Sequence, residues 1–421
     1  MFTDSGQGHL HRVPQPDRRD HVRIAMISEH ASPLGDGGRQ THVADLSAAL
    51  AESGHEVRVY TRRDDPVVAD EITTPGGIRV VHVPAGPPHV LPPDLLLPHM
   101  GEFARRLEDH WRNGAWVPDV VHAHFWTSGL AAVTAARHLG IPVVQSFHEL
   151  GEIEATADGK PSRSGYERAL GRSVDRVFAQ NQDEVRGLVR IGVPRAQLTI
   201  VPAGVDSVRF SPEGPAVERD PARPRILSVG RLVERKGFGD VIEAMRWVPG
   251  AEVVVVGGPA ADALPADPGA RKLRALAEKL HVADRFRLVG RVPFTDMPSW
   301  YRSADMLVAA PWQEDLESSA LEAMACGVPI VGTAVGGLTE AVVDGLTGDL
   351  VPARDPRALG GAMRRLVNDK VRRFAYGTAA IDRARQAYSW KRVAAQVGSV
   401  YAAVTGLRRG TTGSEANEAM A

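Results

Sequence analysis

The chain has 421 residues, 43% of them hydrophobic, more than one ordinary core holds, so two or three domains are expected. Its 50 basic and 51 acidic residues nearly cancel, which argues against nucleic acid or a strongly acidic partner. The single cysteine, Cys326, excludes an internal disulfide framework and a cysteine-rich zinc site; beside Gly327 it is expected to be buried and inert.

Residues 1–20 carry Asp4, Arg12, Asp17, Arg18, Arg19 and Asp20, lack the apolar stretch of a signal peptide, and read as a tail. No apolar run approaches the roughly 20 residues of a membrane span, so the expectation is a cytoplasmic chain with no transmembrane segment. Short β-branched runs then alternate with helical-length segments. In the first half the runs are Val22 to Ser28, Val57 to Thr61, Val80 to Val83, Val120 to Ala123, Val143 to Phe147, Val177 to Ala179 and Leu198 to Val201. Thr41 to Glu52 and Met100 to Arg112 carry apolar residues at helical spacing. Runs of Val and Ile without polar alternation suit strands buried on both faces, and their alternation with helices gives the doubly wound α/β class.

After the break Pro221 to Pro224 the pattern restarts with Ile226 to Val229, Val253 to Val256, Phe286 to Val289, Met306 to Ala310 and Pro329 to Gly332. This grammar predicts two Rossmann-like domains, residues 21–202 and 225–385, with parallel sheets facing across a cleft and a linker over 203–224. A single large sheet is the alternative. A final helix over 386–407, opening at Tyr388-Ser389-Trp390 with Val393, Val397, Val400 and Tyr401 on one side, either completes the second core or crosses back to the first. Residues 408–421 read as a second tail.

Four stretches carry chemistry. Ser32-Pro33-Leu34-Gly35-Asp36-Gly37-Gly38 follows the first strand, and a Gly pair before a helix lets backbone approach a ligand; a flexible turn is the plain alternative. His122 and His124 end one strand and His148 the next. Without a His-Glu-x-x-His pattern a metal is not expected, and His148 is the better candidate to border a reacting group. In Val229-Gly230-Arg231-Leu232-Val233-Glu234-Arg235-Lys236-Gly237, two cations at a strand end can neutralise a diphosphate, unless both pair with Glu234. Glu314 to Glu322 places two glutamates around the start of a helix whose free N–H groups favour an anion. No Walker A motif, serine elbow or paired cysteines appear.

Together, Gly230-Arg231 with Lys236-Gly237, the Glu314 and Glu322 pair, Glu322-Ala323-Met324-Ala325-Cys326-Gly327-Val328-Pro329, Gly336-Gly337 and Asp344 to Gly348 resemble the GT-B-fold retaining glycosyltransferases of family 4. The first half agrees through Gly37-Gly38, Gly54 to Val57, Asp119 to His124, Phe147-His148 and Gly204-Val205-Asp206, and the likeness spans roughly residues 22 to 405. The resemblance implies transfer of a sugar from a nucleotide-diphosphate sugar with retention and without metal or other cofactor. It implies that Arg231 and Lys236 hold the donor diphosphate, that Ser318 and Ser319 offer it backbone N–H groups, and that Gly37 and Gly38 let the first domain close on it. Glu322 would accept from the ribose hydroxyls, Val292 would border the base, Glu314 would contact the sugar, and His148 would stand at the reacting centre.

The chain departs from that pattern in three places. Leu316 and Glu317 replace the usual Phe-Gly or Leu-Pro after the first glutamate, and Glu317 makes the loop acidic. Ala203 replaces an asparagine before Gly-Val-Asp. Glu149 and Phe125 stand where an inositol-phosphate-using branch has threonine and tyrosine, which argues against a phosphorylated inositol acceptor. The acceptor, whether carbohydrate, lipid-linked or small molecule, is expected on the first domain around Gly35 to Gln40, Pro84 to Pro98, Phe125-Trp126 and Glu149 to Arg168. Leu95-Leu96-Leu97 offers a peripheral membrane surface as the alternative to a plain loop. A nucleotide-sugar 2-epimerase, whose signatures are missing, and a catalytically silent nucleotide-sugar-binding subunit are the competing functions.

Overall fold

The computed structural model describes residues 21–34, 38–92, 95–151, 163–313 and 318–418, with backbone alone for 38–40 and 407–418. The first sheet contains β1 (Arg23–Ile27), β2 (Glu56–Arg62), β3 (Glu71–Thr73), β4 (Arg79–Val83), β5 (Val120–His124), β6 (Val143–Ser146), β7 (Arg176–Ala179) and β8 (Leu198–Ile200). The second contains β9 (Arg225–Val229), β10 (Glu252–Val256), β11 (Phe286–Gly290), β12 (Met306–Ala309), β13 (Ile330–Thr333) and β14 (Gly348–Val351). The helices of the first half are α1 (Gly38–Glu52), α2 (Met100–Asn113), α3 (Trp126–Arg137), α4 (Arg163–Ser173) and α5 (Gln182–Arg190). Those of the second are α6 (Phe238–Ala244), α7 (Pro268–Lys279), α8 (Met297–Arg302), α9 (Ser318–Ala325), α10 (Leu338–Ala341), α11 (Pro356–Asn368), α12 (Lys370–Tyr388) and α13 (Trp390–Glu418).

The strand orders are β3-β4-β2-β1-β5-β6-β7-β8 and β11-β10-β9-β12-β13-β14. All pairs are parallel except β3 with β4, at an edge. The second order is the doubly wound arrangement in which two halves diverge from the first strand. The central strands each feed two cores, which explains the unbroken apolar runs. Along β1, Ala25 and Ile27 face the core formed with α2 and α3, whereas Ile24 and Met26 face α1 and α13. Along β10, Val254 and Val256 share a core with α9 and α12, and Val253 and Val255 one with α6 and α11.

Two short strands carry no signal of the kind used to find the others. β3 is a partly exposed edge, and β14 is Gly-Asp-Leu-Val with a buried aspartate. Asp349 is tolerated there because Tyr376 Oη donates to it at 3.0 Å and Arg365 pairs with it at 3.2 Å. Of the candidate acceptor stretch 149–168, Arg163 onward is α4, while 152–162 lie outside the described residues. The last helix continues to Glu418, past the end expected from Gly410 and Gly413; once nucleated, each further helical bond fixes only one more residue.

The periodicity left the direction of the last helix open, and the structure sends it back to the first domain. Val393, Ala394, Val397, Tyr401 and Val404 pack with Val43, Leu46 and Leu50 of α1 and with the first sheet. The chain thus passes between the domains twice, and the two passages touch: Val205 and Ser389 form a parallel bridge, and Val205 N donates to Tyr388 O at 2.8 Å. The Trp390 ring lies where a Cβ on Gly204 would be, so only glycine fits.

A second contact spans the domains. The Gln182 N–H, at the start of α5, donates to Glu340 Oε1 at 2.6 Å, and the Gly336 N–H, just before α10, donates to Asp183 Oδ2 at 2.8 Å. Each carboxylate meets free amides beside the opposing helix start, the favourable end for an anion. Replacing Asp183 and Glu340 together by alanine is expected to let the domains separate, raising the radius of gyration in X-ray scattering with unchanged far-ultraviolet dichroism. An unaltered scattering curve would remove the latch from the account.

Candidate active site

Strand order reverses between β1 and β5 in one sheet and between β9 and β12 in the other. Helices leave opposite faces at such a point and open a crevice at the carboxyl ends of the strands. The loops that end at Gly38 and Gly237, the loop from β12 to Ser318, and Phe125 after β5 all emerge at these two reversals.

On the second domain, Gly237 has φ of 68° and a Cβ there would overlap the carbonyl of Ala310, so the turn holding Lys236 is pressed onto the end of β12. Glu234 pairs with Lys272 at 3.2 Å, and Arg231 is exposed, so the sequence alternative of Arg231 paired with Glu234 is not what the structure shows. Ser318 and Ser319 open α9, and Glu322 follows one turn later. Tyr301 Oη donates to Glu322 Oε2 at 2.6 Å. Burial pushes the Glu322 carboxyl up to about 7, against the opposing pull of the Tyr301 bond. Val292 is half-buried against the core beneath this face. Glu314, Glu317 and Gly37 lie outside the described residues, and of Gly38 the structure gives the first position of α1.

The cleft brings Ser318 and Glu322 together with Thr41, His42 and Asp45 of α1, roofed by Phe210, Phe294 and Trp390. Burial lifts Asp45 to about 6, and the Trp390 Nε1–H donates to it at 3.2 Å. Arg231, Lys236, Val292 and His148 do not line this cavity.

His148 stands on the first-domain side with φ of 64°, and Phe125, packed 4.8 Å from it, has φ of 69°. Left-handed backbone in bulky residues costs about 1–3 kcal/mol each and collects at functional sites. The three histidines grouped from the sequence stay side by side, with the His122 and His124 rings 4.2 Å apart and those of His124 and His148 5.1 Å. His122 is buried between Tyr401 Oη at 2.7 Å and Ser146 Oγ at 2.9 Å, and desolvation lowers it to about 3. His42 of α1 joins His124 and His148, with a ring nitrogen of each within 4.8 Å of the others. A transition metal could span that distance, but His124 Nδ1 and His148 Nε2 are already hydrogen-bonded to each other at 2.8 Å. Behind Phe125, the buried Glu29 accepts from Thr127, Ser128 and His30, and His30 packs on Phe125 at 4.4 Å.

Residues 37–204 match the family model described as a glycosyl transferase 4-like domain, and residues 223–369 that described as glycosyl transferases group 1. A D-inositol 3-phosphate glycosyltransferase of Xylanimonas cellulosilytica is 35% identical, over 92% of this chain and 98% of that protein. The chain belongs to the GT-B glycosyltransferases. A second relative of that description, from Catenulispora acidiphila, is 33% identical over 90% of this chain and 94% of its own length. Sucrose-phosphate synthase from Thermosynechococcus elongatus superposes with a TM-score of 0.79 at 27% identity, covering 92% of this chain and all (100%) of that one. Anabaena HepE in complex with UDP-glucose shares the fold, with a TM-score of 0.70 at 16% identity over 91% of this chain and 100% of its own.

In this glycosyltransferase several residues of the cleft escaped the sequence reading. His42, Asp45 and Trp390 sit in ordinary helical patterns, and Tyr301 reads as a core aromatic. The proline-rich loop of the first domain is less loose than its prolines suggest: the buried Arg62 donates to the carbonyls of Pro87 at 2.7 Å and His89 at 2.6 Å. It also splits the leucine trio, with Leu96 buried and Leu95 exposed, so no single apolar face results. Among the described residues no helix is long and apolar enough to cross a membrane.

Two substitutions test the donor-side geometry. Tyr301→Phe removes the donor that favours the Glu322 anion, so carboxyl-carbon NMR should show Glu322 ionising above the value near 7, not below it. Gly237→Ala should displace the Lys236 turn and cost about 1–3 kcal/mol of stability in urea unfolding; a neutral change would contradict the close packing on Ala310.

Proposed function

We propose that this glycosyltransferase moves a sugar, with retention at the anomeric carbon and without a metal, from a nucleoside-diphosphate sugar held between α1 and α9. The observation that carries the reading is the convergence of these two helices, each beginning at a strand-order reversal, with Ser318 and Glu322 facing Thr41 across one cavity. A diphosphate at the mouth of this cavity would meet N–H groups from two helix starts, and we assign Arg231 and Lys236, outside the cavity on the loop after β9, as its cations. Glu322, once ionised, offers two acceptor oxygens to the ribose hydroxyls, and Val292 lies toward the base. Glu314 is assigned to the sugar and His148 to the border of the reacting centre.

In the transfer the bond between the anomeric carbon and the diphosphate oxygen breaks, the acceptor oxygen bonds to that carbon on the same face, and its proton passes to the departing phosphate. Negative charge grows on the diphosphate, where fixed cations and helix dipoles stabilise it without reorganising. Closure of the two domains excludes water from this step.

The relatives' name makes a cyclitol the acceptor class we favour. Glu149, which pairs with Arg163 at 3.6 Å, and Phe125 set the unphosphorylated form against the 3-phosphate. Incubation with UDP-glucose or another UDP-sugar and either myo-inositol or D-inositol 3-phosphate, in the presence of a chelator, tests the whole assignment. Product with the retained anomeric configuration supports it, and an epimerised donor or binding without turnover would sink it. Arg231→Ala and Lys236→Ala should each weaken donor binding by about 1.5–3 kcal/mol in calorimetry. Because Glu322 must give up its proton to accept from the ribose, donor affinity should rise with pH up to the region near 7 and then level off. The Glu322→Gln variant should lose that dependence.

A further inference from the structure

His148 has both ring nitrogens engaged. Its Nδ1 lies 3.1 Å from the amide nitrogen of Gln180, the residue that follows β7, and its Nε2 lies 2.8 Å from Nδ1 of His124. An amide NH₂ only donates, so His148 Nδ1 is the accepting nitrogen and the ring proton sits on Nε2. That N–H donates to His124 Nδ1, which leaves the His124 proton on Nε2, a buried atom with no partner among the described residues. The groups around the ring reinforce the arrangement. His124 is buried, and desolvation with the neighbouring His122, His148 and His42 holds it well below the usual imidazole range. His42 of α1, edge-on at 4.9 Å, is lowered to about 4 by burial. The carboxylate of Glu184 on α5 accepts from the Gln180 backbone N–H at 2.7 Å, and that of Glu149 pairs with Arg163.

We propose that Gln180 and His124 are positioning residues that fix His148 as the neutral tautomer protonated on Nε2. With Nδ1 held by Gln180 and Nε2 by His124, His148 borders the reacting centre without serving as its acid or base. The catalytic half of this statement rests on the transferase reading; the tautomer does not. It also gives chemical sense to the proposed front-face step, in which the departing phosphate, and no side chain, takes the acceptor's proton.

The test uses the full chain labelled with nitrogen-15 in histidine, with the His148 signals assigned by their loss in a His148→Asn variant. The expected result is a ring with bare Nδ1 and protonated Nε2, unchanged between about pH 6 and 8. In Gln180→Glu the amide donor becomes an acceptor, so His148 gains a proton on Nδ1 and titrates within that window. Turnover at saturating donor should fall about tenfold to a hundredfold on the acid side, with little change in donor KM, because the geometry and not the binding is altered. Gln180→Met, which neither donates nor accepts a second proton, should lose rate without acquiring the titration. A wild-type His148 protonated on Nδ1, or titrating across the window, overturns the proposal, as does a Gln180→Glu protein with the wild-type pattern in both readouts. A correctly protonated ring in a protein that transfers no sugar keeps the tautomer and refutes the transferase reading instead.

Discussion

Everything at the centre of this molecule follows from the reversal of strand order in two parallel sheets. Where neighbouring strands send their helices to opposite faces, backbone leaves a gap that side chains of neither layer fill. Each gap is edged by helix starts, whose first N–H groups have no partner within the helix. Placing two such gaps opposite one another produces a cleft in which negative charge is favoured from both walls, before any lysine or arginine is considered. Arg231 and Lys236 then add charge to a field that the fold already supplies.

Burial sets the protonation states around that cleft. On one wall the imidazoles of His42 and His124 are held neutral by desolvation; on the other, Glu322 is pushed up to about 7. Burial disfavours the charged form in each case, so the imidazoles move down and the carboxyl moves up. The Tyr301 hydroxyl holds one oxygen of the Glu322 carboxyl in place.

The fold was legible because both sheets are covered on both faces, which makes nearly every strand an unbroken apolar run between helical segments. β3 and β14 were missed for the converse reason: one is an exposed edge, and the other carries an aspartate whose partners, Tyr376 and Arg365, are supplied by distant helices. At the candidate site, Ser318 and Glu322, which line the cleft, stood out in the sequence because charged groups around a helix start after a strand leave a local signature. His42, Gln180, Tyr301 and Trp390 leave none, since each is a residue that a core or a helix surface ordinarily holds. Their roles come from contacts across long sequence separations, such as Trp390 with Asp45 and His122 with Tyr401, which periodicity does not encode.

The return of α13 to the first sheet has a consequence for the order in which the molecule is completed. Val43, Leu46, Met26 and Val59 lie on a face whose cover includes Val393, Val397 and Tyr401. During synthesis from the amino terminus the first domain emerges early, yet part of this face stays bare until α13 has followed the second domain out of the ribosome. The second domain, bounded by the paired passages at Val205 and Ser389, is the one whose core closes without borrowing from the other end. The domain made first is therefore the domain finished last, and during that interval its apolar face is the part of the nascent chain most exposed to misassociation.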